Sequence, residues 1–141
     1  MAFKNFDYEK GYHGDMSIFV ENALKKINLM TDTKREELQA DFKRVMTLTF
    51  EFFGKNNFRL PTNQTRGRIN IAILESVCYF FSENSDSFLN KNKRRIKRKF
   101  KQLLKNESYL EAVRFATGNR ANVISRFKLA QEILGEGCET C

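Results

Sequence analysis

Apolar residues recur along this chain at the three- and four-residue spacing of an amphipathic helix. The first stripe follows Asp15 and consists of Met16, Phe19, Val20, Ala23, Leu24 and Ile27. Similar patterns predict further helices over 33–53, 68–82, 91–105, 108–116 and a last segment that ends at Leu134. One proline and seven glycines offer few turn residues for an all-β fold. The sequence therefore predicts an all-α fold, a compact bundle of about six helices.

The third predicted helix, 68–82, differs from the others because it is apolar on both sides. Its two apolar sides consist of Ile69, Ile73, Val77 and Phe80, and of Ile71, Leu74, Cys78 and Phe81. A helix that is apolar all round is usually buried among other helices. We therefore expect this third helix to be the buried centre of the bundle, with the other helices packed around it.

One acidic residue, Glu75, lies on this predicted central helix. A buried carboxylate is rarely left without a partner, because the loss of its hydration is not compensated. We therefore predict a structural ion pair between Glu75 and an arginine. The candidates are Arg59, Arg68 and Arg126, and the sequence leaves the choice among them open.

The length of 141 residues and the run of helical patterns predict a single helical domain over residues 15–135. Residues 1–14 are predicted to form a flexible leader, and residues 136–141 a flexible tail. The chain has no apolar run of about 18 residues, as a membrane span needs, and its first residues lack the apolar core of a secretory signal. We expect a cytoplasmic protein that does not interact with a membrane.

The three cysteines do not follow a disulfide or zinc-binding pattern. Cys138 and Cys141 form one C-x-x-C pair, which could supply two thiolates to a metal or act as a redox pair. A zinc site needs two more ligands, but Cys78 is predicted to be buried and His13, the only histidine, lies at the other end of the chain. We expect no metal site and no cofactor.

The positive charge of the chain is concentrated in one segment. The net charge is +8, and residues 91–105 hold nine of the 25 lysines and arginines without a single acid. If Ile96 and Phe100 face the core, the basic side chains cover the opposite face. The candidate nucleic-acid-binding residues are Lys91, Arg94, Arg95, Lys97, Arg98, Lys101 and Lys105.

This basic segment favours a polyanionic partner, DNA or RNA, because like charges at this density repel one another and the fold gains nothing from them. Phosphate contacts would give affinity and a steep salt dependence without sequence specificity. The bases lack an interleaved aromatic platform for base stacking. The alternative interpretation is a solvated helix face without a ligand.

No motif for catalysis accompanies this segment. The chain has neither a G-x-x-x-x-G-K-[ST] loop nor a G-x-G-x-x-G loop for phosphates, and nothing near its lone histidine suggests an activated nucleophile. Glu36, Glu37 and Asp41 cluster on the second predicted helix, where helix capping and solvation explain them. We therefore predict that the chain is not an enzyme.

The chain resembles the helical region that follows the ParB/sulfiredoxin-like nuclease domain in the GmrSD-type restriction and phage-defence family. Short motifs carry the resemblance, over about Asp15 to Leu134: Phe53-Gly54, Phe58-Arg59, Ile69 to Glu75, Thr117-Gly118-Asn119 and Arg126-Phe127, together with Asp15-Met16 and Phe19 near the start. The activity of that family is attributed to the upstream domain, with its D-G-Q-Q-R motif, and to an HNH nuclease. Neither motif occurs in this chain.

The resemblance implies a non-catalytic helical accessory module of a restriction or defence protein. Such a module would bind a partner domain, such as an upstream nuclease-type domain, or nucleic acid. The alternative is a free-standing nucleic-acid-binding protein that uses the basic helix, 91–105.

Overall fold

The computed structural model describes residues 8–62 and 67–139, which fold as an all-α bundle. Its helices are α1 (Tyr8–Gly11), α2 (Met16–Asn28), α3 (Asp32–Phe53), α4 (Ile71–Glu83), α5 (Asp86–Lys91), α6 (Lys93–Leu103), α7 (Glu107–Arg114) and α8 (Arg120–Gly135). A short 3-10 turn, Gly54–Asn56, follows α3. The prediction of an all-α bundle is confirmed, but the predicted count of six is too low, since the described ranges contain eight α-helices.

The two additional helices, α1 and α5, are too short to produce a periodic pattern in the sequence. They contain four and six residues. The start of α5 is stabilised by Ser85, whose hydroxyl accepts a hydrogen bond from the amide of Phe88 at 3.2 Å. Its Leu89 is fully buried. Such short helices depend on capping and on packing against the rest of the fold, because helix nucleation is unfavourable.

The prediction of a buried central third helix is confirmed in part, since residues 72–82 of this helix are buried or half-buried but the last helix contacts more of the other elements. The predicted helix corresponds to α4, which begins at Ile71 after Asn70 accepts a hydrogen bond from the amide of Ile73 at 3.0 Å. Ile71, the first residue of α4, is 61% exposed, whereas Ala72 and Ile73 in the same turn are buried. The sequence pattern shows which residues are apolar, but it does not show how far neighbouring helices extend along them.

The last helix, α8, occupies the central position instead. It contacts α1, α4, α6 and α7. One face of α8 buries Val123, Phe127, Ala130 and Leu134. Ala130 is the smallest of these side chains, and small residues allow neighbouring helix backbones to approach closely. Four of the other helices therefore pack against α8.

The core divides into two clusters of buried side chains. The larger cluster contains residues of α3 to α8, among them Phe52, Phe81, Ile96 and Leu103. The smaller cluster joins the start of the chain to α8 through Tyr8, Tyr12, Phe19, Val123 and Phe127.

The predicted leader, 1–14, lies outside the described residues up to position 7. From Tyr8 onward it packs against α8. The ring of Tyr8 stacks on Phe127 at 4.7 Å, and the hydroxyl of Tyr12 donates a hydrogen bond to the carbonyl of Gly118. The guanidinium of Arg120 in turn donates to the carbonyl of Tyr12 at 3.0 Å. These contacts hold residues 8–12 on the helical domain.

The described part of the predicted tail, 136–139, contacts the junction between α5 and α6. Asn92 forms this junction and is buried. Its side-chain nitrogen donates to the carbonyl of Glu139 at 3.0 Å, and its side-chain oxygen accepts from the amide of Glu139 at 2.9 Å. The predicted helix 91–105 is therefore interrupted at Asn92, and the side chain of this residue holds Glu139, which follows α8.

Replacing Asn92 by alanine is expected to lower the free energy of unfolding by about 1–3 kcal/mol, because the backbone groups of Glu139 lose their partners. Hydrogen exchange at the amide of Glu139 should accelerate in the Asn92→Ala variant. Asn90, an exposed residue of α5, offers a matched control, and Asn90→Ala should change neither quantity appreciably. Equal exchange rates in the two variants would contradict this anchoring role.

Candidate nucleic-acid interface

Helix α6 is positioned by its apolar side chains, which pack into the larger core cluster. Ile96, Phe100 and Leu103 are buried at the spacing of one helix face. The helix contacts α3, α5 and α8 through this side. Because the buried face is narrow, Lys97, Arg98 and Lys101 between these positions are exposed, whereas Lys99 is half-buried.

The predicted binding residues are mostly exposed, but they do not all lie on one helix. Six of the seven are exposed: Lys91, Arg94, Lys97, Arg98, Lys101 and Lys105. Arg95 is half-buried. Lys91 ends α5 and Lys105 lies beyond the end of α6. The continuous outward surface therefore consists of Arg94, Lys97, Arg98 and Lys101, which we call the basic face.

Other basic residues of the segment have partners within the protein. The ammonium of Lys93 lies 5.0 Å from the ring centre of Phe52, in a cation–π contact. Lys99 forms an ion pair with Glu136, and Lys91 lies 3.6 Å from the carboxylate of Glu139. The two glutamates after α8 thus neutralise charge beside the basic face rather than on it.

The start of α6 adds to the positive potential of this region. Its first turn contains Lys93, Arg94 and Arg95 and no acid, and the side chain of Asn92 does not cap it. The amino end of a helix carries a partial positive charge from its unpaired N–H groups. Three cations at this end are unfavourable for the isolated helix, and a bound anion would relieve the repulsion.

A groove of about 1160 Å³ separates α6 from the end of α3 and the segment that follows it. We call it the basic groove. The four residues of the basic face line one side of it, and Lys55 and Arg59 lie on the other. Glu51 is the carboxylate in its described lining.

The apolar part of this groove is aromatic. Phe53 and Phe100 both line it, and their rings stack with centres 4.0 Å apart. Phe53 is half-buried, whereas Phe100 is buried. The expectation that the bases lack an interleaved aromatic platform followed from the local sequence, in which Phe100 was assigned to the core. The fold brings Phe53 of α3 to the groove from more than forty residues away.

The three arginines considered for Glu75 have different surroundings. Arg126 is 1% exposed, and its guanidinium donates to the Glu75 carboxylate at 2.6 Å. Arg59 donates instead to the carbonyl of Gly67, and Arg68 is exposed before α4. The structure therefore pairs Glu75 with Arg126.

This ion pair is part of a network between α4, α8 and the turn before α8. A second nitrogen of Arg126 donates to the carbonyl of Thr117 at 2.5 Å. Burial raises the pKa of the Glu75 carboxyl above its usual value, although the Arg126 guanidinium acts in the opposite direction. The network lies away from the basic groove, and its contacts are those of a structural ion pair.

The two described cysteines, Cys78 and Cys138, do not form a disulfide. Burial raises the pKa of the Cys78 thiol to about 12, so this thiol stays protonated at neutral pH. Cys138 is half-buried and contacts the carbonyl of Leu134, and Cys141 lies outside the described residues. Within residues 8–62 and 67–139, no three metal-ligating side chains of the His, Cys, Asp and Glu types come together.

Among the helices of these described ranges, none has both the length and the apolar character needed to cross a membrane. Comparison of the chain with protein-family models, with characterised proteins and with solved structures finds no match. The basic face and the basic groove are therefore interpreted from their own geometry and charge.

Proposed function

We propose that this chain is a non-catalytic helical module that binds the phosphate backbone of a nucleic acid through the basic face. The observation that carries the proposal is the set of exposed cations on α6, Arg94, Lys97, Arg98 and Lys101, which lie side by side without an acid between them. Phosphates neutralise such a surface and release condensed counterions on binding.

A solvated helix face is the alternative, and the local electrostatics favour the proposal over it. Solvated helix faces normally mix acids and bases, since pairs of opposite charge at three- and four-residue spacing stabilise a helix. Helix α3 shows that arrangement at its exposed start, where Arg35 pairs with Asp32. Helix α6 has no acid at all and begins with three cations.

We further propose that the module is an accessory part of a restriction or defence protein and acts in the cytoplasm beside a nuclease-type partner domain. The resemblance motifs support a scaffolding role. Glu75, Thr117 and Arg126, which come from three of those motifs, meet in the partly buried network described above. In this proposal the partner domain performs the chemistry and the basic face holds the nucleic acid.

Fluorescence anisotropy with a labelled oligonucleotide tests the binding proposal. If about four phosphates are contacted, the affinity should fall by about 100-fold between about 50 mM and 200 mM salt. Sequence changes in the oligonucleotide should have little effect, since phosphate contacts carry no sequence information. Weak binding at the lower salt concentration, or binding that does not respond to salt, would contradict the proposal.

A further inference from the structure

The basic groove has cations on both sides and aromatic rings between them. Arg94, Lys97, Arg98 and Lys101 line the side formed by α6, and Lys55 lies across from them after the end of α3. We infer that this groove binds single-stranded nucleic acid in preference to a duplex. The inference rests on the proposed function, because it assigns the ligand class of the same basic surface.

The two sides of the groove suit one strand of phosphates. A duplex exposes its phosphates on the outside of a wide cylinder, so a protein surface meets them from one side only. A single strand is narrower and flexible, and cations on both sides of a groove can contact its backbone at once. Lys55 lies opposite the basic face. Its ammonium can therefore contact a phosphate of the same strand only if that strand enters the groove.

The aromatic pair supplies the second part of the argument. In a duplex the faces of the bases are stacked inside and are inaccessible to a side chain, whereas an unpaired base can stack on an aromatic ring. Phe53 lines the groove and is only half-buried, although its ring stacks on Phe100 and makes edge contacts with Phe52 and Phe81. An unpaired base can lie on Phe53 while its phosphate reaches the cations beside it.

Glu51 limits where the backbone can pass. Its carboxylate lines the groove near the end of α3, within one turn of Phe53 and Lys55. A phosphate close to Glu51 would be repelled, so the backbone runs along α6, from which it can reach Lys55 across the groove. The geometry thus places the bases toward α3 and the phosphates toward the cations.

The test compares an unstructured oligonucleotide of about twelve nucleotides with its duplex, in anisotropy titrations at one salt concentration. The full chain should bind the single strand at least about tenfold more tightly. Lys55→Glu should weaken single-strand binding about tenfold and duplex binding less than about threefold. Lys43→Glu is the matched control, since Lys43 is exposed on α3 and lies about 12 Å along the helix from Glu51.

A second readout follows base stacking directly. The chain contains no tryptophan, so Phe53→Trp introduces a single tryptophan, whose emission is excited selectively over that of the four tyrosines. Adding the single strand should quench its emission, and adding the duplex should not, because only an unpaired base can stack on it.

The outcomes separate the two proposals. Salt-dependent binding with equal affinity for both forms, or equal effects of Lys55→Glu and Lys43→Glu, would overturn the groove inference and leave the binding proposal standing. Failure of both forms to bind at low salt would overturn the proposed function and the inference together. Preference for the single strand, with loss in Lys55→Glu and quenching in Phe53→Trp, would support both.

Discussion

Replacement of Arg126 by methionine is expected to lower the free energy of unfolding by about 3–5 kcal/mol at neutral pH. The substitution removes the guanidinium from Glu75 and from the carbonyl of Thr117. Glu75 has only 21% of its side chain exposed, so its carboxylate would remain largely buried without a counter-charge. Urea denaturation followed by circular dichroism measures the loss.

The effect of Arg126→Met should depend on pH in a defined direction. Burial already raises the pKa of Glu75, and the substitution removes the guanidinium that lowers it. The pKa in the folded variant then lies further above its value in the unfolded chain. As the pH rises from the unfolded-state pKa of Glu75 to its folded-state pKa, ionisation of this carboxyl increasingly penalises the folded state. The destabilisation is therefore largest at neutral pH and shrinks toward about pH 4.

Two further variants identify the cause of this loss. Glu75→Gln in the Arg126→Met background removes the buried charge. It should restore at least about 1 kcal/mol of the free energy of unfolding at neutral pH, and it should abolish the pH dependence of the Arg126→Met effect. Arg114→Met, which removes an exposed arginine of α7, should change the stability by less than about 0.5 kcal/mol. A loss in Arg126→Met as small as that of Arg114→Met would show that water solvates Glu75 adequately.

The second large effect is expected for nucleic-acid binding. Reversing three charges of the basic face, with Arg94→Glu, Arg98→Glu and Lys101→Glu in one protein, should weaken binding at least about 100-fold at about 50 mM salt. Each lost phosphate contact also reduces the dependence of affinity on salt. The slope of log affinity against log salt concentration should become shallower by about three.

The triple variant should keep its fold, since all three side chains are exposed and glutamate favours helix about as well as lysine or arginine. Circular dichroism and thermal unfolding verify this point. A matched control reverses three exposed lysines elsewhere, with Lys26→Glu, Lys34→Glu and Lys43→Glu on α2 and α3, and produces the same change in net charge. If both triple variants weaken binding equally, overall charge rather than the basic face determines affinity.

The sequence predicted the long helices well because their signal is local. An apolar stripe that repeats every three or four residues identifies a helix whatever it packs against, and α2, α3 and α6 all contain such stripes. The same signal does not measure burial. Val20 and Leu24 belong to the stripe of α2 but remain 40% and 54% exposed, while Phe19 and Ala23 are buried.

The basic segment can also be identified from the sequence alone, because the concentration of charge in residues 91–105 does not depend on folding. Two of its contacts depend on how this segment packs against the residues after α8. They are the hydrogen bond from Asn92 to Glu139 and the ion pair of Lys99 with Glu136. Which cations stay exposed was therefore decided by tertiary packing.

The sequence by itself determined an all-α fold, a concentrated positive charge and the need of Glu75 for a partner. Only the tertiary structure decided that the partner is Arg126, that α8 is the central helix and that Phe53 and Lys55 lie across a groove from α6. The physical reason is that periodicity and charge are properties of neighbouring residues along the chain. Partners, burial and grooves arise where distant segments meet, and their selection depends on the packing of all the helices at once.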